Sequence, residues 1–418
     1  MKKRLIGTVV LSVATIAALT FSTTTHSNVK AATPMNNGKA KNVILFVGDG
    51  MGTDHRNAIR LATVGANGKL AMDDMPATGR VHTSSGSSFV TDSAAAATAM
   101  ASGVKSYNGA IGVNMKGKPV QTVLEKAKLS GKATGLVTTS QVTDATPAAF
   151  GAHVSNRNAQ SNIAKQYLEN SKIDVILGGG EDYWYPEGNP GSYPDAPPED
   201  KEEGSKGTKG NLVNKAQKLG YTYVKNGNQL KYAKGQKILG LFANEEMFQQ
   251  APEGEGDVYN PSVSLPDMTK KAIDTLSQNK KGFFLVVEEE GIDEMAHNNN
   301  ASLMIKAGQQ LDNTVKMAKK YAKTHPDTLV LVAADHATGG LSLETTDKSD
   351  ESGEGVSKED GPFNIANSKE QFIVDWTTGG HTSSDIPLNA MGARSELFTG
   401  VYENNYIHDA LIKAMNLK

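Results

Sequence analysis

Apolar positions in this chain come in short unbroken blocks rather than in alternation. Residues 42–47, 133–138, 174–177, 237–242, 282–287 and 328–333 are β-branched-rich runs, each followed by a small or acidic residue and a helix-like stretch. Continuous runs of this length mark strands covered on both faces. Alternating with helical stretches, they predict an α/β fold, a three-layer sandwich with a large, mostly parallel central sheet flanked by helices. Residues 302–323 repeat apolar side chains at helical spacing and predict an amphipathic helix, and 403–415 predict a terminal one. Residues 182–210 concentrate Pro, Gly, Asp, Glu and Lys and read as a long loop inserted into the domain. A second polar, acidic segment spans 346–361. Sheet-like blocks continue on both sides of each, so 32–418 is expected to be a single domain, without internal repeats.

The chain opens with Met1-Lys2-Lys3-Arg4, an apolar stretch to Phe21, and a Ser/Thr-rich segment ending at Val29-Lys30-Ala31. That order predicts a secretory signal peptide over 1–31, cleaved after Ala31. The stretch is short for a bilayer span and is interrupted by Gly7, Thr8, Ser12 and Thr15, so no transmembrane anchor is expected in the mature form. The expected location is secreted, extracellular or in the cell envelope. There is no cysteine, so an exported fold must hold without disulfides, and bound metal could supply part of its stability. The 43 basic and 45 acidic residues nearly cancel, giving no long-range field that would draw nucleic acid or an anionic membrane.

In an open parallel sheet, ligands bind beyond the carboxyl ends of the strands. The residues just past the predicted strands are Asp49, Asp144 with Thr146, Glu288, and Asp335-His336. Any one of them could be a turn or N-cap residue; four strand ends in register point to metal ligands. Asp293 and His297 are spaced to share one helical turn, which suits a single zinc ion. His381 follows Gly379-Gly380, where backbone can approach a site closely. Ser93 precedes a run of alanines and is placed at a helix N-terminus, where free N–H groups favour phosphate. No Gly-x-Ser-x-Gly elbow or Ser-His-Asp triad accompanies it, so activation would have to come from metal.

The block from Asn42 through Gly48-Asp49-Gly50-Met51-Gly52, the Asp92-Ser93-Ala94 block, Asp144-Ala145-Thr146-Pro147-Ala148 with Arg157, the segment from Glu288 to His297, Asp335-His336 and His381 together resemble the alkaline phosphatases in order and local spacing. The resemblance runs from Asn42 to about Gly400. It implies a phosphoric monoester hydrolase with two Zn2+ and one Mg2+, acting on small phosphate monoesters through a phosphoserine intermediate on Ser93. It implies Asp335, His336 and Asp49 as ligands of the zinc that activates the nucleophile, and Asp293, His297 and His381 as ligands of the zinc facing the leaving group. Asp49, Thr146 and Glu288 would hold magnesium, with Asp144 as a direct or water-mediated ligand. Arg157 would bind the phosphate and Asp92 would orient it. The resemblance leans toward a homodimer, although some members act as monomers.

Two features depart from the family pattern. Glu288, Glu289 and Glu290 are consecutive, and the offset to Asp293 selects Glu288. Glu294 stands where some relatives carry Lys or His near the phosphate, and its approach to Asp144 would place like charges together and favour an extra proton or cation. Tyr183, Trp184, Tyr185 and Tyr193 of the inserted loop either border the substrate opening or, as is commoner, simply pack. The competing functional readings are a phosphodiesterase or sulfatase-type relative on the same metal scaffold, and a non-catalytic extracellular metal- or phosphate-binding protein.

Overall fold

The computed structural model describes residues 38–196, 204–249, 258–346 and 358–418. The expected signal peptide lies outside the described residues, as do the middle parts of both polar segments. Ten strands form one sheet, in the spatial order Gly400–Glu403, Ala77–His82, Ile386–Gly392, Thr328–Ala333, Asn42–Gly48, Phe283–Glu289, Ala133–Gln141, Val175–Gly179, Ile238–Leu241 and Thr222–Val224. Only Ile386–Gly392 runs against its neighbours; every other pairing is parallel. The six predicted strands are all present within this sheet.

The central strands are unbroken apolar runs because both of their faces are covered. Val43 through Val47 and Leu329 through Ala333 are fully buried, and burying each large aliphatic side chain contributes about 1.5–3 kcal/mol. One set of mutually packed helices, Thr53–Val64, Leu265–Leu276 and Ala301–Thr324, lies against the sheet. A second set comprises Ser93–Ser102, Val123–Leu129, Ala145–Gly151 and Tyr406–Met415. Helix Ala301–Thr324 matches its predicted span within a residue at each end. The terminal helix starts at Tyr406, later than expected, because Gly400–Glu403 is drawn into the sheet edge beside Ala77–His82.

Three features escape a reading of apolar blocks. Ala77–His82 and Ile386–Gly392 extend the sheet on one side. Ser342–Thr345, Gln371–Trp376 and Lys358–Asn364 form a separate antiparallel sheet, so the segment read as polar loop 346–361 runs into a strand at Lys358. Ala337–Thr338 pairs with His381–Thr382, which fixes a residue remote in sequence beside the end of a central strand. The aromatics at the start of the inserted loop pack inward: Trp184 is fully buried and Tyr185 nearly so.

Candidate metal centre and nucleophile

Four adjacent central strands end on one edge of the sheet, and their parallel alignment carries the acidic residues there together. Asp49 follows the strand Asn42–Gly48, Asp335 and His336 follow Thr328–Ala333, and Asp144 with Thr146 follow Ala133–Gln141. Glu288 lies inside Phe283–Glu289 rather than beyond it. Strand alternation separates the three glutamates. Glu288 accepts from the Thr138 hydroxyl at 2.5 Å, whereas Glu289 turns to Thr139 and Tyr259. All three are buried.

Two groups of ligand atoms converge. In the first, Nε2 of His336 lies 3.0 Å from Oδ2 of Asp335 and 3.5 Å from Oδ1 of Asp49. In the second, Nε2 of His297 lies 3.1 Å from Oδ2 of Asp293 and 3.1 Å from Nε2 of His381. His336 stacks on His381 with ring centroids 3.6 Å apart, so the two groups share a wall. Backbone carbonyls set the imidazoles: Nδ1 of His297 meets Gly379 O at 2.6 Å, and Nδ1 of His381 meets Thr91 O at 3.0 Å. A ring whose Nδ1–H is held this way presents an unprotonated Nε2 to a cation.

The carboxylates fit a cation. Asp335 Oδ1 accepts from the N–H groups of Gly50 and His336, Asp49 Oδ2 from Thr146, and Glu288 Oε2 from Thr138. The other oxygen of each, Asp335 Oδ2, Asp49 Oδ1 and Glu288 Oε1, is buried without a hydrogen-bond donor. Buried unpaired charge of this kind is costly unless a metal or proton completes it. Burial, with the charges of Asp335, Asp293 and Glu288 added, raises the Asp49 carboxyl far above the ordinary range. Burial likewise pushes Glu288 up to about 8, with Asp144 and Asp335 adding to it. Burial would also raise Asp293, but hydrogen bonds from His297 and His381 and the charge of His336 hold it well below. Groups that combine imidazole with carboxylate suit zinc, and the all-oxygen set of Asp49, Thr146 and Glu288 suits magnesium.

Ser93 is the first residue of the helix Ser93–Ser102, and its Oγ lies 3.1 Å from Nε2 of His336. Asp92 caps that helix through Ala95 N and also accepts from Gly109 N at 2.7 Å. The Arg157 guanidinium stands near both acids. Its Nη2 donates to both oxygens of Asp144 at 2.9 Å, and its Nη1 is 3.6 Å from Asp92 Oδ2. The structure therefore makes Asp144 the closer partner of Arg157, with Asp92 second. Glu294 follows Asp293 on the short helix Gly291–His297; burial, then the charges of Asp293, Glu246 and Asp144 against that of His297, push it up to about 7.

A serine oxygen at a helix N-terminus, beside an arginine fork and two imidazole–carboxylate groups, is an arrangement for phosphoryl transfer. The family model for alkaline phosphatase matches residues 40–363. This chain belongs to the alkaline phosphatase family.

Among curated members of that family, alkaline phosphatase 4 of Bacillus subtilis is 38% identical over 82% of this chain and 71% of its own length. The alkaline phosphatase of Escherichia coli is 33% identical over 91% of this chain and 87% of its own. The solved alkaline phosphatase of the Antarctic bacterium TAB5 superposes with a TM-score of 0.71 at 31% identity, covering 91% of this chain and 99% of that one. This chain is therefore a phosphatase enzyme with an α/β fold.

Three residues at this alkaline phosphatase centre carry no sequence signal for their part in it. Thr338 donates to Asp293 Oδ1 and contacts the His336 ring. Thr138 fixes Glu288. Glu246, held at 2.7 Å by Gln141 Nε2, brings a further acid toward Glu294 from a distant segment. Gly50 carries a sequence signal only as part of the block after the first strand; its N–H donates to Asp335, and at its φ of +63° an added Cβ would run into Asp293.

Proposed function

We propose that this chain hydrolyses phosphate monoesters through a phosphoserine on Ser93, as an exported enzyme whose residues 1–31 are removed and whose residues 32–418 act as one catalytic domain. The observation that carries this reading is the placement of Ser93 Oγ, 3.1 Å from His336 and at the start of a ten-residue helix. Asp335, His336 and Asp49 would hold one zinc, and Asp293, His297 and His381 a second. Asp49, Thr146 and Glu288 would hold magnesium with Asp144 at its border, and a TAB5 variant solved with magnesium supports that assignment by analogy. When bound, these cations supply Lewis-acid stabilisation of developing negative charge and an acidified serine hydroxyl.

The chain's own residues do the rest. Arg157, kept firmly protonated by the Asp144 charge, offers its planar fork to two non-bridging oxygens of the substrate. Asp144 and Asp92 fix that fork from behind. The helix N-terminus presents positive partial charge to the phosphoryl group as Ser93 Oγ forms its bond to phosphorus and the ester P–O bond breaks. The leaving oxygen takes a proton and departs as the alcohol. Water then attacks the phosphoserine, inorganic phosphate leaves, and Ser93 recovers its hydroxyl.

Initial rates on a simple aryl phosphate and on the matching diester test the assignment. The monoester should turn over far faster, because a doubly charged terminal phosphate gains most from concentrated positive charge. A faster diester would transfer this centre to the phosphodiesterase reading.

A further inference from the structure

At the edge of the sheet opposite the metal centre lies a second concave site. Lys41 and Lys132 immediately precede two central strands and Lys281 stands two residues before the strand between them, and with Lys39, Lys126 and Lys280 they line a cavity of about 880 Å³. Lys418 is a seventh lysine on the same lining, and the sole acidic side chain there is Asp327, which accepts from Asn42 Nδ2 at 3.4 Å. Adjacent strands are about 4.8 Å apart, so the three strand-leading lysines fall on a row about 10 Å long.

Lys132 makes the floor. It is buried, at 4% exposure, and its Nζ donates to Lys41 O at 2.6 Å and to Lys281 O at 3.0 Å, while the charge of Asp327 acts on it without a direct ion pair. An ammonium has three donors, and these two carbonyls take only two. Burial, followed by the charges of Lys39 and Lys41, pulls Lys132 down to about 8. A protein of net charge −2 has no global reason to crowd cations here. A bound anion would relieve their mutual repulsion.

We propose that this basal cavity binds a small anion carrying several phosphate or sulfate groups, at a site separate from the metal centre. The lysines line one open concavity within the size range of small-molecule sites, instead of running as a stripe along the surface, which favours a compact ligand over a polymer. At about 3.3 Å per residue, the seven-residue strand Asn42–Gly48 alone sets the cavity about 20 Å from the metal centre. A ligand held there is out of reach of Ser93, so the cavity is no extension of the substrate site.

The test is calorimetric titration of the metal-loaded enzyme with inositol hexasulfate, which has no phosphate ester to cleave. One equivalent should bind, more weakly as salt is raised, and excess inorganic phosphate at the metal centre should leave that binding intact. The exposed double variant Lys39→Glu/Lys281→Glu should bind at least tenfold more weakly while hydrolysing an aryl phosphate at the wild-type rate. No binding below 1 mM in about 50 mM salt, or equal binding by the variant, would overturn the proposal. So would competition by inorganic phosphate, and so would a long sulfated polymer binding a hundredfold tighter at equal sulfate concentration, which would assign the face to a polymer.

Discussion

Nε2 of His297 and Nε2 of His381 face each other at 3.1 Å, and each ring is held through Nδ1 by a backbone carbonyl. Two imidazole lone pairs so placed repel unless a metal ion or a shared proton lies between them, and the orphaned oxygens of Asp49, Asp335 and Glu288 need the same remedy. Chelation should therefore remove activity and stability together. At a free metal concentration 100-fold above Kd, a bound ion stabilises by about 2.7 kcal/mol, so stripping should lower Tm by about 3 °C for each ion lost, given an unfolding entropy of about 2.1 cal/mol/K per residue. Calorimetry with metal analysis measures both, and zinc plus magnesium should restore them. Full turnover in protein holding less than about a tenth of an equivalent of metal would refute the metal reading.

Removing the nucleophile should separate chemistry from assembly. Ser93→Ala takes away one buried hydroxyl and puts a stronger helix former at the start of its helix. Fold and metal content should stay as they are while kcat falls about 10³-fold or more. Quenched wild-type enzyme should carry phosphate on Ser93, seen by mass spectrometry of the peptide. A variant with near wild-type kcat would point to direct attack by water.

Arg157 is held by both oxygens of Asp144 and stands 3.6 Å from Asp92. Arg157→Lys keeps the charge and loses the fork, so KM should rise about tenfold, with inorganic phosphate inhibiting less strongly. Asp144→Ala frees one side of the guanidinium and should lower the affinity for inorganic phosphate less than Arg157→Ala does. If Arg157→Ala left phosphate inhibition unchanged, the residue would be a structural partner of Asp144 alone.

Most of the sheet and the components of the centre are legible because the physics is local. Val43 through Val47 and Leu329 through Val332 read as strands covered on both faces because they are. Parallel order then forces Asp49, Asp335 and Glu288 to one edge. What is hidden depends on pairing between distant segments. Ala77–His82 alternates buried with exposed positions and includes Thr, Gly and Arg, so it is ordered by Ile386–Gly392 and not by its own composition. The attachment of Asp144 to Arg157 and the turning of Glu289 toward Tyr259 are tertiary choices that spacing does not encode.

A pair away from the centre sets a pH signature. His153 Nε2 lies 2.9 Å from Glu125 Oε1, its Nδ1 donates to Gly112 O, and Glu125 closes the capping box of the helix Val123–Leu129. Burial works against both charges, yet the pairing raises His153 and lowers Glu125. The glutamate contribution is complete above the ordinary Glu value of 4.5, and the histidine contribution is complete below the ordinary His value of 6.5. The latter is lost as pH rises through the raised folded value. His153→Gln should therefore cost about 1 kcal/mol near pH 6 and measurably less near pH 9.5, read from urea midpoints. Equal costs at the two pH values would mean that packing, not charge, carries the pair.

Gly50 couples backbone conformation to the second ligand group. Its φ is +63°, and a Cβ there would meet Asp293 Oδ1 at 2.3 Å and Thr338 Oγ1 at 2.8 Å. Since Gly50 also gives its N–H to Asp335 and its carbonyl to Thr338 N, the backbone has little room to retreat. Gly50→Ala should displace Asp293, reduce bound metal by about one equivalent and lower kcat/KM by about 10²-fold, the scale of disturbed ligand support. Positive φ alone costs an alanine about 1 kcal/mol, and Gly220→Ala isolates that part, because Gly220 has a φ of +87° with nothing within 4 Å of an added Cβ. The control should lose a little stability and keep its metal and its rate. If the two variants lost metal and activity alike, close approach to Asp293 would not be the reason for glycine at position 50.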